Sequence, residues 1–286
     1  MDFPQLFFNG LAIGSVIALA AVGLTLTYGI LRLSNFAHGD FMTLGAYLTW
    51  LANISGINIW IALCLGAVGT VVAMLISEQL IWKTMRERRA TSTTLIIISI
   101  GLAWVIRNSI LMIWGGSNQR YDLPIVTAVD LFGVKVAYFQ LIGIGLSAIA
   151  IIALYFLLQK TKMGKAMRAV ADNLDLARVS GINVERVVLW TWIVTGVLTA
   201  MSGGIYGLIT TVRPNMGWFL ILPMFAASIL GGIGNPYGAI VGGLVIGLAQ
   251  ELSVPWLGSE YKLGVSLVIM VIILLLRPQG LFRGTA

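Results

Sequence analysis

His38 and Asp40 are the residues whose types and spacing come closest to a chemical site. An imidazole and a carboxylate two positions apart could relay a proton or supply two ligands to a metal ion. Because a zinc site needs at least three protein ligands and the chain has one histidine, we predict no metal site here. Two roles stay open: both side chains cap and orient the start of a helix, or they line a gate with Asn35 and Phe36.

Three other charged residues, Glu78, Arg107 and Glu251, interrupt apolar runs. Arg107 lies about 10 Å from the end of its run at 1.5 Å per residue. At that depth in a bilayer a cation must be paired, hydrated or extended to the headgroups. An anchor at the outer headgroups and a residue of a path through the protein are therefore equal alternatives for Arg107. Glu78 and Glu251 lie close to the ends of their runs, where interfacial positions are expected.

Enzyme motifs are absent or broken. GGIGNPYG places Gly232 and Gly234 as a dinucleotide fingerprint requires, but Tyr237 stands where the third glycine belongs. Neither GxxxxGKS nor GxxxxGKT occurs, so the chain cannot hydrolyse ATP by the P-loop route. The single cysteine, Cys64, is expected to pack in a core. We predict a protein that is not an enzyme and needs no cofactor, with any ATP hydrolysis on a separate subunit.

Composition places these residues in a membrane. Only 10% of the 286 residues are charged, against about 25% in soluble domains, and the mean hydropathy is +0.95. The net charge of +7 comes largely from Lys and Arg in short loops, a pattern typical of the cytoplasmic side of a membrane protein. We therefore expect membrane lipids as partners and no nucleic acid, since no basic module with interleaved aromatic residues is present.

The apolar runs predict an all-α polytopic membrane protein with about nine (8–10) transmembrane or half-length helices, in one transmembrane domain over residues 1–286. The expected elements are residues 5–31, 39–52, 57–82, 93–114, 138–159, 187–209, 218–230, a helix from within 231–239 to 252, and 262–276. Nine passes and the basic loops put the N-terminus outside and the C-terminus in the cytoplasm. Gly10 and Gly14, in GxxxG spacing, predict close packing of the first helix.

The two halves of the chain show a faint internal similarity. Residues 23–47 and residues 203–228 each join a glycine-rich helix to an interrupted, half-length one. Non-helical backbone at membrane depth is tolerated only where protein buries it or where it lines a cavity. Paired interrupted segments in two halves therefore indicate a transport path at the interface between the repeats.

The longest polar interruption, residues 160–186, is predicted to be a short amphipathic helix on the cytoplasmic side. Apolar residues recur there at helical spacing: Ala166, Met167, Val170, Leu174 and Ala177. Gly181 supplies a helix stop. From these residues alone, a helix gripped by a soluble partner and a surface helix without a partner remain equal alternatives.

Two long segments, MGKAMRAVADNLDLARVSGINVERV and LSNFAHGDFMTLGAY, together with GGIGNPYGAIVGG and RPQGLF, resemble the LIV-type ABC transporter permeases for branched-chain amino acids. The resemblance covers nearly the whole chain. It implies the membrane subunit of an ATP-driven importer in a bacterial-type inner membrane, carrying branched-chain or neutral amino acids. It also implies a second permease subunit, expected to be a paralogue, two cytoplasmic ATPase subunits and an extracytoplasmic substrate-binding protein.

The same resemblance suggests roles for individual residues. Those that match the family's cytoplasmic loop, similar in role to a coupling helix that docks the ATPase, are Gly164, Arg168, Ala169, Asp172, Asn173, Ala177 and Gly181. The predicted translocation path or gate consists of Asn35, Phe36, His38, Gly39, Asp40 and Arg107, of which all but Arg107 match a family block. ATPase closure would then move the helix at 164–181 and rock its two neighbours.

Two alternative functions remain open. An importer of urea or short-chain amides has membrane subunits that look much the same. A stand-alone secondary transporter needs intramembrane carboxylates for ion coupling, and only Asp40, Glu78 and Glu251 are candidates.

Overall fold

Helices form nearly all of the regular structure, as the apolar runs predict. The computed structural model describes residues 3–124, 126–131 and 134–282. The helices are α1 Phe3–Leu31, α2 His38–Ile54, α3 Ile59–Ser77, α4 Lys83–Glu87, α5 Ser92–Trp114, α6 Tyr138–Lys160, α7 Lys162–Asp172, α8 Leu174–Val179, α9 Val184–Ile209, α10 Met216–Gly231, α11 Pro236–Leu252, α12 Val254–Leu257 and α13 Lys262–Leu276. A π-helical turn, Glu78–Trp82, joins α3 to α4, and a 3₁₀ turn, Ser259–Tyr261, precedes α13.

Most of the described apolar helices are long enough to cross a bilayer, and two are not. Within the described residues, seven helical segments are long and apolar enough to cross a bilayer. The helices α2 and α10 have 17 and 16 residues and fall short of that length. The predicted all-α polytopic membrane fold is confirmed, including two half-length elements near the predicted positions. The sides of the membrane were predicted for both termini, but residues 1–2 and 283–286 lie outside the described residues.

The centre of the bundle is α1, most of which is covered by other helices. Its glycine face packs against α11, with Gly10 against Leu248 and Gly14 against Gly247. A Cβ atom on Gly247 would lie 2.2 Å from the Cα atom of Gly14, so the two backbones are in direct contact. The close packing predicted from the GxxxG spacing is confirmed, because small residues let helices approach in this way.

Cys64 lies on an exposed face of α3, so the prediction of a packed core cysteine was wrong. The face that α3 buries carries Ala62, Gly66 and Thr70. In a lipid-facing helix apolar residues occur all round, and hydropathy alone therefore does not distinguish the buried face.

Within the loop between α5 and α6, residues 121 and 122 contact the second half of α2. The loop contains a short antiparallel hairpin, β1 Val129–Leu131 and β2 Val134–Val136. The Tyr121 hydroxyl donates to the Ala46 carbonyl at 3.3 Å, and the Asp122 amide donates to Asn53 Oδ1 at 2.7 Å. Burial raises the pKa of Tyr121 above its ordinary value, so the phenol stays a neutral hydrogen-bond donor.

The polar segment 160–186 forms two helices, α7 and α8, and the predicted single helix was wrong at this point. The backbone is extended at Asn173, with φ −156° and ψ 107°, and its side chain accepts a hydrogen bond from the Leu176 amide at 2.9 Å. An asparagine that caps a new helix ends the preceding one. The predicted stop is confirmed, because α8 ends at Val179 and Gly181 adopts φ +82°.

Candidate functional site

The two half-length helices, α2 and α10, begin beside each other inside the bundle. Gly39 and Gly217 are the second residues of these helices and touch through their backbones. A Cβ atom on Gly217 would lie 1.7 Å from the Gly39 carbonyl oxygen, and one on Gly39 would lie 2.3 Å from the Gly217 carbonyl oxygen. The Gly217 amide also donates to Thr43 Oγ1 at 3.0 Å. This contact requires glycine at both positions.

An irregular segment, residues 32–37, brings the chain from α1 to the start of α2 inside the bundle. Its polar groups are paired within the segment and with α5: Asn35 Oδ1 accepts from the Ala37 amide at 3.1 Å, and the Phe36 amide donates to Ser99 Oγ at 3.1 Å. The Phe36 ring packs on Phe225 of α10, with centroids 4.7 Å apart. Non-helical backbone is thus buried in protein here, as its position among apolar helices demands.

His38 joins three helices at the first turn of α2. Its Nε2 atom lies 2.9 Å from the Ala20 carbonyl of α1 and 3.2 Å from Thr199 Oγ1 of α9. Since a carbonyl can only accept, Nε2 carries a proton and donates. His38 Nδ1 is buried without a protein partner, as is Nδ2 of Asn35. Buried polar atoms left in this way would bind water or a polar ligand.

Asp40 and Arg107 form a buried, bidentate ion pair between α2 and α5. Arg107 Nε donates to Asp40 Oδ1 at 2.9 Å, and Arg107 Nη2 donates to Asp40 Oδ2 at 3.0 Å. The guanidinium carbon lies 4.5 Å from the centroid of Trp218, at the start of α10, and 5.4 Å from that of Trp104. A carboxylate near the positive end of α2 and a cation against aromatic faces are each favoured locally. The pair therefore links α5 to the starts of both half-length helices.

All six residues of the predicted path or gate thus lie near the starts of α2 and α10, or are paired with a residue there. Side-chain capping by His38 and Asp40 was wrong, since neither residue caps α2 with its side chain. Asp40 does lie in the first turn of α2, where the helix dipole favours a carboxylate, as that interpretation expected. The headgroup anchor for Arg107 was also wrong, because its side chain is 9% exposed and points to Asp40. An apolar run gives the depth of a charge but not the partner that makes the depth tolerable.

Sequence reasoning missed Gly217 and Trp218, which belong to the same site. Counted from the starts of α2 and α10 in the structure, Gly217 corresponds to Gly39 and Trp218 to Asp40. The predicted starts at residues 39 and 218 pair Gly39 with Trp218 instead, so this correspondence was not apparent from the sequence. Thr199 was also missed, and no local pattern marks it.

Two residues of the predicted docking set, Gly164 and Arg168, contact the end of α6. A Cβ atom on Gly164 would lie 2.2 Å from the Leu157 carbonyl oxygen. Arg168 donates to Gln159 Oε1 at 3.0 Å and to the Leu158 carbonyl at the end of α6. A cation at a helix C-terminus satisfies carbonyls that the helix leaves unpaired. Gly164 and Arg168 therefore attach α7 to α6.

The remaining residues of that set differ in exposure: Ala177 is buried and Ala169 half-buried, while Asp172, Asn173 and Gly181 are exposed. The most exposed apolar side chains of this segment are Leu176 and Val179 of α8, at 64% and 87%. They are three positions apart and share one helix face. An exposed apolar face between polar residues is typical of a protein interface.

Glu78 and Glu251 are both buried and paired, although each lies near the end of a helical span. Glu78 accepts from Arg86 Nη1 at 3.0 Å and from Trp192 Nε1 at 2.7 Å. Glu251 pairs with Lys262. The three carboxylates that could have served ion coupling, Asp40, Glu78 and Glu251, thus each contact a cation.

The fold and this site define a polytopic α-helical membrane protein built around two half-length helices that meet inside the bundle. The chain matches, over residues 6–274, the family described as branched-chain amino acid transport system / permease component, and it belongs to that family. The high-affinity branched-chain amino acid transport system permease protein LivH of Salmonella typhimurium is 31% identical over 294 residues, covering 98% of this chain and 95% of that protein. A LivH protein of Methanocaldococcus jannaschii is 33% identical over 282 residues, covering 93% and 88%.

Solved structures show the same fold. An inward-facing metal-chelate type ABC transporter is similar with a TM-score of 0.51 at 16% identity, covering 94% of this chain and 82% of that one. At this identity the likeness concerns the arrangement of helices alone.

Proposed function

We propose that this chain is the membrane subunit of an ATP-driven importer of branched-chain or other neutral amino acids, with the path between its repeats and ATP hydrolysis on separate subunits. The observation that carries the proposal is the meeting of α2 and α10 beside the Asp40–Arg107 pair. Interrupted helices that meet near the middle of a bundle are typical of transporter sites. We take the whole chain as one permease domain.

The charges at this site fit an amino acid better than urea. A zwitterion carries an ammonium and a carboxylate, which could replace Arg107 and Asp40 in turn while the pair opens. Urea has no charge to offer, so opening a buried pair for it leaves both ions unpaired at a cost of several kcal/mol. The unpaired polar atoms of His38, at the start of α2, and of Asn35, in the irregular segment before it, could bind a polar substrate.

Uptake by intact cells that lack this one gene tests the proposal. We expect selective loss of branched-chain or neutral amino-acid uptake, with acidic and basic amino acids and urea taken up normally. A plasmid copy of the gene should restore uptake. Loss of urea uptake alone would assign the chain to a urea importer. In cells that carry the gene, amino-acid uptake that persists after ATP depletion would favour a stand-alone transporter.

The partners that we propose follow from the same function: a second permease subunit, two cytoplasmic ATPase subunits and an extracytoplasmic binding protein in an inner membrane. We place the C-terminus and the α7–α8 side in the cytoplasm, and the N-terminus outside. The exposed Leu176 and Val179 support an ATPase contact on α8, whereas Arg168 serves the attachment to α6.

A double substitution on α8 tests this contact. Leu176→Asp with Val179→Asp should abolish co-purification of the ATPase subunits while the permease still inserts and stays monodisperse, because two carboxylates cannot be desolvated in an apolar interface. The matched control is Ser92→Asp with Thr93→Asp, which adds the same charges at exposed positions at the start of α5 on the same side. Retention of the ATPase by the α8 variant would refute docking through this face.

A further inference from the structure

A charged cavity of about 400 Å³ lies between the ends of α1 and α3, the helix α8 and the start of α9. Four cationic and three acidic side chains line it: Arg32, Lys83, Arg86, Arg178, Glu78, Glu87 and Glu185. Glu78 is already held by Arg86 and Trp192. Lys83 and Glu185 are 4.0 Å apart and largely exposed, an arrangement that contributes little stability and that an anion could replace.

An apolar groove of about 290 Å³ continues from this cavity along α3. The cavity and the groove share Leu75 and Gln79. Val72, Ile76 and Leu80 line the groove at intervals of four residues, so they form one exposed stripe on the helix. The apolar lining of the groove therefore suits a hydrocarbon chain, and the charged lining of the cavity suits its polar head.

The position of the cavity along α3 fits the boundary of a bilayer. Glu78 lies nineteen residues after Ile59, the first residue of α3, which is roughly 28 Å at 1.5 Å per residue. A hydrocarbon core is about 30 Å thick, so Lys83 is level with headgroups while Val72 and Ile76 are within the hydrocarbon. Basic pockets between membrane helices at this level bind anionic lipid headgroups.

We propose that the cavity and the groove together bind one anionic phospholipid. Its phosphate lies near Lys83 and Arg178, and one acyl chain follows the stripe of Val72, Ile76 and Leu80, which runs from α3 into the π-helical turn. The excess of cations over carboxylates selects an anionic headgroup over a zwitterionic one. This binding site is separate from the path, because it involves none of the residues at the starts of α2 and α10. It shares only the helix α8 with the proposed ATPase contact, since Arg178 lies between Leu176 and Val179.

Photo-crosslinking tests the site in the purified transporter, reconstituted into nanodiscs. Phosphatidylglycerol with a diazirine on its acyl chain should label residues 72–80, and phosphatidylcholine with the same chain should label them at least about fivefold less. Lys83→Gln with Arg178→Gln should lower the phosphatidylglycerol labelling by a similar factor, whereas Arg178→Lys alone should preserve it.

The matched control removes two other cations from the same side of the protein, Arg88→Gln with Lys160→Gln, and should leave labelling unchanged. Equal labelling by the two lipids in the wild-type protein would overturn the proposal, since the groove would then hold ordinary boundary lipid. An unchanged pattern in the Lys83 and Arg178 variant would also overturn it. The comparison of headgroups uses the wild-type chain and stays decisive if a variant fails to fold.

Discussion

Arg107→Ala is expected to abolish amino-acid uptake and to destabilise the permease by about 3–5 kcal/mol, the usual cost of removing one partner of a buried ion pair. Asp40 then keeps a buried charge with no cation opposite it, and α5 loses its bidentate link to α2. The measurements are uptake in complemented deletion cells and the thermal midpoint of the purified protein. Arg120→Ala is the matched control, because it removes the same side chain from an exposed position in the 115–137 loop.

The coupling between the two charges can be measured directly. Asp40→Asn together with Arg107→Gln should recover much of the stability lost in either single variant, because no unpaired charge remains. Uptake should stay low in the double variant if a zwitterion uses both charges. Single and double variants that lose stability additively would show that the residues act independently, and a fully active Arg107→Ala protein would contradict the role of the pair altogether.

Gly217→Ala is expected to prevent the close contact between α2 and α10, with loss of monodisperse protein and of uptake. The new methyl group would lie 1.7 Å from a backbone oxygen of Gly39, so no side-chain rotation can relieve the clash and two helix backbones must separate. Overpacking typically costs about 1–3 kcal/mol, and a backbone clash belongs at or beyond the upper end of that range.

Size-exclusion profiles and thermal midpoints provide the measurement for Gly217→Ala. Gly101→Ala is its matched control, because a Cβ atom on Gly101 in α5 has no neighbour within 4 Å. That control should be neutral or slightly stabilising, since glycine inside a helix costs about 0.5–1 kcal/mol relative to alanine. Equal behaviour of the two variants would mean that the contact between the half-length helices is not required.

Helix positions could be predicted closely from the sequence because the bilayer leaves the backbone few choices. Every apolar run must satisfy its own hydrogen bonds, so it becomes a helix that ends where polar residues begin. The predicted run at 93–114 is α5 Ser92–Trp114, and the predicted run at 138–159 is α6 Tyr138–Lys160. The interrupted elements were also found, because Asn35 and Asp40 break an otherwise apolar stretch.

The contacts between helices could not be predicted in the same way. Arg107 looked able to reach the headgroups, and its partner Asp40 became apparent only when α5 was placed beside α2. Arg168 looked like a residue for a soluble partner, yet it donates to the end of α6. The break at Asn173 depends on one capping hydrogen bond, which competes with a helical pattern that continues on both sides.

The central position of α1 has a consequence for how the protein is made. Gly14 emerges from the ribosome long before Gly247, the residue against which its backbone packs. With a mean hydropathy of 2.0, α1 is stable in lipid as a single helix, so it can remain in the membrane before α11 packs against it. If translation stops before α11, the glycine face of α1 therefore stays in the membrane without its packing partner and can bind other helices. Cellular quality control would have to recognise such a chain within the bilayer, because this face is never exposed to water.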